Sequence, residues 1–311
     1  MAGNTLSGLF QTVVVPATAQ IAQPLAYRNG AVKKITTVKQ PLSGTVGQTV
    51  NINIPVVSEN DVIDIGNGPI QVTDGDHASV SLTINNNKSW SRRIPDFDQC
   101  RTPVLFKELY LAPGIESVLR KINRQVCNLI TATNFASYTS ITGPAAVFSR
   151  LNVAAAWANL VASGVPMTPG DVHLLVHHQP YSTMIGDDTY KWIQQNIVGD
   201  TAAAQVQQTA RLMPAFGADI DYDQQMPTPT GSTYSGLFFN KNAIAIAPVT
   251  PADQISKPHV EEMLFTPPGT DLIFRIQMWY SPDGQGLIIH IHAIFALAIV
   301  RPNFGSYLVT T

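Results

Sequence analysis

The sequence predicts an α+β fold, and three observations carry that prediction. Strict alternation at Val50, Ile52 and Ile54, and again at Val80, Leu82 and Ile84, marks two strands with one apolar face each. Apolar residues at Ile115, Val118, Leu119, Ile122, Val126, Leu129 and Ile130 follow the 3.6-residue period of a single helix face. The C-terminal part returns to alternation at Leu272, Phe274, Ile276, Met278 and Tyr280, turns at Asp283-Gly284 and continues through Leu287–Val300.

Taken in order, residues 1–40 carry no sustained period and read as an N-terminal arm, ordered only by what it touches. Residues 41–98 hold the two alternating strands, with Gly66-Asn67-Gly68-Pro69 and Asp74-Gly75-Asp76 as turn signals between them. They form an extended β-hairpin loop. A lone hairpin is marginal in water, so its apolar face needs a seat on its own chain or on another copy. Residues 99–140 contain the helix, which Pro113 starts; running to Asn134 it would be about 33 Å long at 1.5 Å per residue. Residues 141–252 mix helix and strand. An Ala-rich helix runs from an N-cap at Ser149 to Ser163-Gly164, a buried strand covers Val172–Val176, and Pro180 opens a third helix. A fourth helix carries Tyr190, Ile193 and Ile197 to Gly199, Asp200–Gln208 is a polar loop, and Phe216–Asp223 is a strand. Residues 253–311 are β in character.

Composition narrows the function classes. Apolar residues make up 45%, as in ordinary globular proteins, but charged residues only 13% against a usual share of roughly 25%. A neutral surface rich in amides and hydroxyls suits a chain that covers itself with other copies, since interface cores are depleted in charge. A net charge of −2 excludes a strong general pull toward nucleic acid or anionic lipid. The basic residues bunch at Lys33, Lys34 and Lys39, at Arg92-Arg93, and at Arg120, Lys121 and Arg124, enough for weak, sequence-blind contact with phosphate. Two cysteines, Cys100 and Cys127, without a CxxC pair or a signal peptide, suggest reduced thiols. The longest apolar run, Gly286–Val300, is short for a membrane helix, so a soluble, cytoplasmically made protein with no membrane partner is expected.

Candidate chemistry is sparse. Asp219, Asp221 and Asp223 share a strand face and could bind a divalent cation, although the run is not an EF-hand; the competing reading is a solvated face with Ile220 and Tyr222 inward. His290 and His292 share another face at a spacing that can ligate zinc or iron, but no third ligand accompanies them. His177-His178 ends a strand with no nucleophile motif nearby. No enzyme, cofactor or metal is expected.

The order of elements carries a resemblance. Asn4-Thr5-Leu6 with Val32-Lys33-Lys34, Gly47–Pro55, Val80–Trp90, Asn152–Pro166 ending in Gly164-Val165-Pro166, Phe216–Tyr222 with Met226-Pro227, Asn240–Ala247 and Ile299–Pro302 together resemble the major capsid proteins of tailed bacteriophages, most closely the podovirus-like coat group. The resemblance implies that fold: N-terminal arm 1–40, extended loop 41–98, a peripheral domain with the spine helix (99–140) and return strands (253–311), and an axial α/β domain (141–252). It implies a major capsid protein that self-assembles, as hexamers and pentamers, into an icosahedral shell enclosing double-stranded DNA. Implied partners are copies of the chain, scaffolding, portal and decoration proteins, and packaged DNA. The implied location is the virion, after assembly in a host cytoplasm. Val50, Ile52, Ile54, Val80, Leu82 and Ile84 are then expected at inter-subunit contacts, and Lys33, Lys34, Arg120, Lys121 and Arg124 are candidates to face DNA. Two alternatives stay open: a cellular nanocompartment shell of the same fold, and a metal-dependent enzyme using His290 and His292.

Overall fold

The computed structural model describes residues 30–38, 47–55, 77–95, 107–135, 137–141, 148–186, 212, 214–228, 233–250, 260–266, 270–283 and 286–310. The tip of the expected loop, Cys100, the expected helix around Tyr190–Gly199 and the polar stretch Asp200–Gln208 lie outside them.

Two sheets and one helix build the centre. The helix α2 (Ala112–Asn128) follows a π-helical turn at Lys107–Leu111. It buries Ile115, Val118, Leu119, Ile122 and Val126, the stripe the periodicity marks. It ends before Asn134 because the chain folds back there: Asn134 Nδ2 donates to the Leu129 carbonyl at 2.8 Å, satisfying one of the oxygens a helix end leaves free. Gly114 lets the helix lie close to the sheet beneath, since a Cβ there would stand 2.7 Å from the Trp90 ring and 2.8 Å from Ile291.

The six-stranded sheet contains β1 (Thr36–Thr37), β4 (Asn86–Pro95), β9 (Ile244–Val249), β10 (Val260–Phe265), β11 (Phe274–Ser281) and β12 (Gly286–Ile299). β12 is its axis. It pairs with β11 along one side; on the other it pairs first with β4 and then, from Ile294, with β9. The five-stranded sheet runs β5 (Ser137–Ile141), β13 (Gly305–Thr310), β8 (Ser235–Asn240), β6 (Val172–His177), β7 (Asp219–Asp223). Inner-face residues of both sheets, such as Ile289, Ile291 and Phe295 from one and Leu237, Phe239 and Tyr307 from the other, share one core with α2. The opposite face of the five-stranded sheet is covered by α3 (Arg150–Ala162) and α4 (His178–Gly186) through Val153, Ala156, Leu160, Tyr181 and Met184.

Several elements depart from the sequence reading. The apolar run Phe238–Ala247, interrupted by Lys241 and Asn242 in the sequence, breaks there in the structure too, but its two strands lie in different sheets, split by a 3-10 turn at Lys241–Ala243 where the Asn240 side chain accepts from Asn242 N at 3.1 Å. The chain crosses back after β12, at Pro302–Phe304, and the last strand, β13, lies in the five-stranded sheet. The sheets thus divide the chain elsewhere than at residues 252 and 253. Asn86–Pro95, placed in the extended loop by the sequence, belongs to the six-stranded sheet. The expected strand Phe216–Asp223 begins only at Asp219, because Phe216 and Gly217 both take positive φ (55° and 72°) in a tight turn closed by Ala215 and Ala218.

A strap stitches the sheets together. α1 (Gly30–Lys33) rests on α2 and β7, burying Ala31, Val32 and Ile35 in the shared core. The next residues pair with β9 in parallel, and Thr36 Oγ1 donates to the Lys241 carbonyl at 3.0 Å. This part of the arm therefore owes its order to contacts within its own chain.

Candidate functional site

The hairpin is the most informative surface. β2 (Thr49–Pro55) and β3 (His77–Thr83) pair antiparallel, with Val50 opposite Leu82, Ile52 opposite Val80 and Ile54 opposite Ala78. The alternation is as read, but the seat is a correction. Leu82 and Ile84 are fully buried against Ala247, Val249 and Ala296 of their own six-stranded sheet, so within this subunit their seat is on their own chain. The reason is the seat's shape: alanines at 247, 296 and 298 leave the sheet surface low enough for larger side chains to settle on it. Ile52 and Val80, nearer the tip, are only partly buried there. The side chains of Val50 and Ile54 lie outside the described residues. Leu82→Ala is expected to cost about 2–3 kcal/mol by leaving a cavity under the hairpin, read as a lower denaturant midpoint. An unchanged midpoint would mean the hairpin is not docked in the free subunit.

The candidate DNA-facing residues separate into two groups. Lys34 is engaged, with its Nζ 2.7 Å from Asp221 and 3.8 Å from Asp219. Lys33 sits beside it, its pKa lowered by burial and by Lys34. Both belong to the strap, which corrects the expectation for Lys34. Arg120, Lys121 and Arg124 do project from the outer face of α2; Arg120 also bonds Glu116 at 2.6 Å, one turn back.

The carboxylate run is likewise not a solvated face. Asp219, Asp221 and Asp223 do share a side of β7, but that side turns toward α1 and α2. Asp221 meets Lys34, while Asp223 is buried and accepts from Asn123 Nδ2 at 2.6 Å, Gln225 N at 2.8 Å and Ala31 N at 3.4 Å. Tyr222, expected inward, is 48% exposed beside Tyr181. The sequence reading missed Asn123; its signal was an amide inside the apolar arc of α2, beside Ile122 and Val126.

His290 and His292 stand together on the outer face of β12, ring centres 5.1 Å apart. His290 Nδ1 lies 2.6 Å from Ser91 Oγ. Arg275, hydrogen-bonded to Glu262, adds positive charge beside them, and burial with that charge pushes His292 down to about 4. A neighbouring cation opposes metal binding, and among the described residues no group of three His, Cys, Asp or Glu is arranged to hold a metal ion. His177 stacks on Tyr234, ring centres 4.8 Å apart, with His178 adjacent. Cys127 is buried, its thiol pushed up by burial and by Asp223, which keeps it unreactive.

What remains is a subunit with a docked hairpin, a central helix between two sheets, and no assembled catalytic group among the described residues. Solved structures share the overall fold. The cyanophage P-SCSP1u capsid structure superposes with a TM-score of 0.61 at 13% identity, covering 91% of this chain and 89% of that one. The chain adopts the tailed-phage capsid-protein fold. A structure from mycobacterium phage Che8 gives 0.56 at 17% identity, covering 84% of both chains. The virus-like particle from Pyrococcus furiosus gives 0.53 at 8% identity, covering 94% of this chain and 97% of that one. No protein-family model matches the sequence, and no curated protein does.

Proposed function

We propose that this chain is the major capsid protein of a tailed phage, the repeated subunit of an icosahedral shell around double-stranded DNA. The observation that carries the reading is the shared fold, which spans nearly the full length of a chain from a phage capsid. The charge-poor composition supports it, because a shell subunit covers much of its surface with neighbours. In the shell, the six-stranded sheet with α2 is the peripheral body, and the five-stranded sheet with α3 and α4 is the axial body at the centre of hexamers and pentamers. The distal hairpin, with Ile52, Val80 and the residues beyond, reaches a neighbouring subunit. Arg120, Lys121 and Arg124 meet packaged DNA without sequence preference. Scaffolding, portal and decoration proteins are the further partners, with assembly in a host cytoplasm.

The chain expressed alone is expected to form shells or rings of five and six subunits by sedimentation and negative-stain microscopy. A compact monomer at high concentration, even with scaffold supplied, would sink the proposal. The likeness to a virus-like particle favours one second reading, a cellular nanocompartment. Particles from the native source that hold a cargo protein and no nucleic acid would support that reading over the first.

A further inference from the structure

The helix α3 has an apolar outer face. It buries Val153, Ala156 and Leu160 against the five-stranded sheet. On the opposite side Leu151, Trp157 and Val161 are 74%, 38% and 44% exposed, among the exposed Ala155, Ala158 and Ala162. At 100° per residue these positions, with Ala154, fill one continuous arc, and Asn152 and Asn159 fall at its flank. The one charged residue of α3 is Arg150, which opens the helix at the N-terminal end of this arc; none follows through Ala162. A helix that is apolar all round is normally a buried one. Here the burial is half done.

We infer that this face is an inter-subunit contact, covered by a second copy of the same chain. The inference rests on the shell reading and names one of its interfaces. Size argues for that occupant. The exposed apolar patch amounts to roughly 400 Å², at the level that marks interaction surfaces on monomers. That is about half of the ~800 Å² per partner in a stable isolated pair. A patch of this size does not hold a dimer by itself; it serves as one of several contacts that a subunit makes at once in a closed assembly. Charge argues the same way. One cation at the end of the arc, Arg150, is far too little charge for a nucleic-acid or anionic-lipid surface, and with no anion on α3 the face offers nothing to a basic partner. The alanines allow close backbone approach, while Leu151, Trp157 and Val161 supply the anchors, tryptophan being the side chain most enriched at interface centres.

The test uses the full chain. Leu151→Glu combined with Val161→Glu places charge on an already exposed face, so the far-ultraviolet circular dichroism and thermal midpoint of the subunit should match the parent. The assembly threshold is expected to rise about tenfold or more, the change that a contact of about 1.4 kcal/mol produces. Hydroxyl-radical labelling of Leu151 and Trp157 should fall when parent subunits assemble. If the parent assembles and the double variant matches its threshold, this inference is overturned and the shell reading stands. Labelling that is already low in the free subunit, and unchanged on assembly, would mean that residues 187–211 of the same chain cover the face; that also overturns it. A parent that never assembles overturns both.

Discussion

Replacing Asp223 with alanine is expected to lower stability by roughly 3 kcal/mol or more and to loosen the strap at Gly30–Ile35. The carboxylate is buried and serves three elements at once. It accepts from Asn123 Nδ2 on the central helix, from Ala31 N at the start of α1, and from Gln225 N in the turn after β7. Asn123 completes the arrangement by accepting from Val32 N through Oδ1 at 3.3 Å. Two of the amides that open α1, which no helical carbonyl can satisfy, thus find acceptors on other elements. Alanine would strand several buried donors, at about 1–3 kcal/mol for each that water cannot reach. The loss is read by guanidinium unfolding, and the loosening by hydrogen exchange at the amides of residues 31–35. Asp223→Asn keeps one acceptor oxygen and should recover part of the loss. A stability change below about 1 kcal/mol, with exchange unaltered, would show that the strap is held by its apolar contacts alone. Those contacts, Ala31, Val32 and Ile35 in the core, are the rival explanation that the experiment separates.

The same residue shows where reading the sequence stops. Period-two alternation places Asp219, Asp221 and Asp223 on one face, and they are on one face. Alternation is silent on what lies over that face. In the fold it is α1 and α2, brought there by contacts from distant parts of the chain. The hairpin repeats the lesson. Its register follows from its pattern, yet the burial of Leu82 and Ile84 depends on the alanines of β9 and β12, far along the sequence. Local signals sufficed for α2, for β11 and β12, and for the start and stop of α3: Ser149 stands at the N-cap position, although its side chain makes no capping bond, and Gly164 at φ 70° with the bond from Val165 N to the Leu160 carbonyl ends the helix as its sequence suggests. They did not suffice for β13. The strand was missed because Pro302 looks like an ending, whereas the chain turns there and packs Gly305 against the Phe135 ring. The outer face of α3 shows the reverse case. Its alanines marked a closely packed helix from the sequence alone, and only the structure shows that one side of that packing is left open.

Acidification from pH 7 to about 4.5 is expected to destabilise the subunit by several kcal/mol, before most carboxylates titrate. Three histidines have their pKa lowered to about 4. Burial is the main cause for each. For His173, Lys34 adds to the effect, while Asp219, Asp221 and Asp171 oppose it. For His177, the neighbour His178 lowers and Asp223 raises. For His292, His290 and Arg275 lower and Glu262 raises. The Nδ1 atom of His292 is buried without a hydrogen-bond partner, so a proton placed there gains no acceptor, whereas His173 Nδ1 has the Asp219 carboxylate 3.7 Å away, too far for a hydrogen bond but close enough to offset part of the cost of burial. A folded pKa below the unfolded value of about 6.5 means that the unfolded chain binds more protons between roughly pH 6.5 and 4, so stability falls as pH falls through that window. Each well-buried histidine contributes about 2–3 kcal/mol over the full window, since one pKa unit is worth 1.36 kcal/mol. Glu262 does not confuse the reading: its pKa is lowered, chiefly by the Arg275 hydrogen bond, so its contribution is retained above its unfolded value and lost only at lower pH. Guanidinium midpoints at pH 7, 5.5 and 4.5 and constant ionic strength provide the measurement. His173→Gln should flatten the dependence by removing one of the three contributions. A midpoint that does not move between pH 7 and 4.5 would mean that these rings reach water, and with it the packing of β6 and β12 described above would have to be looser than their burial indicates.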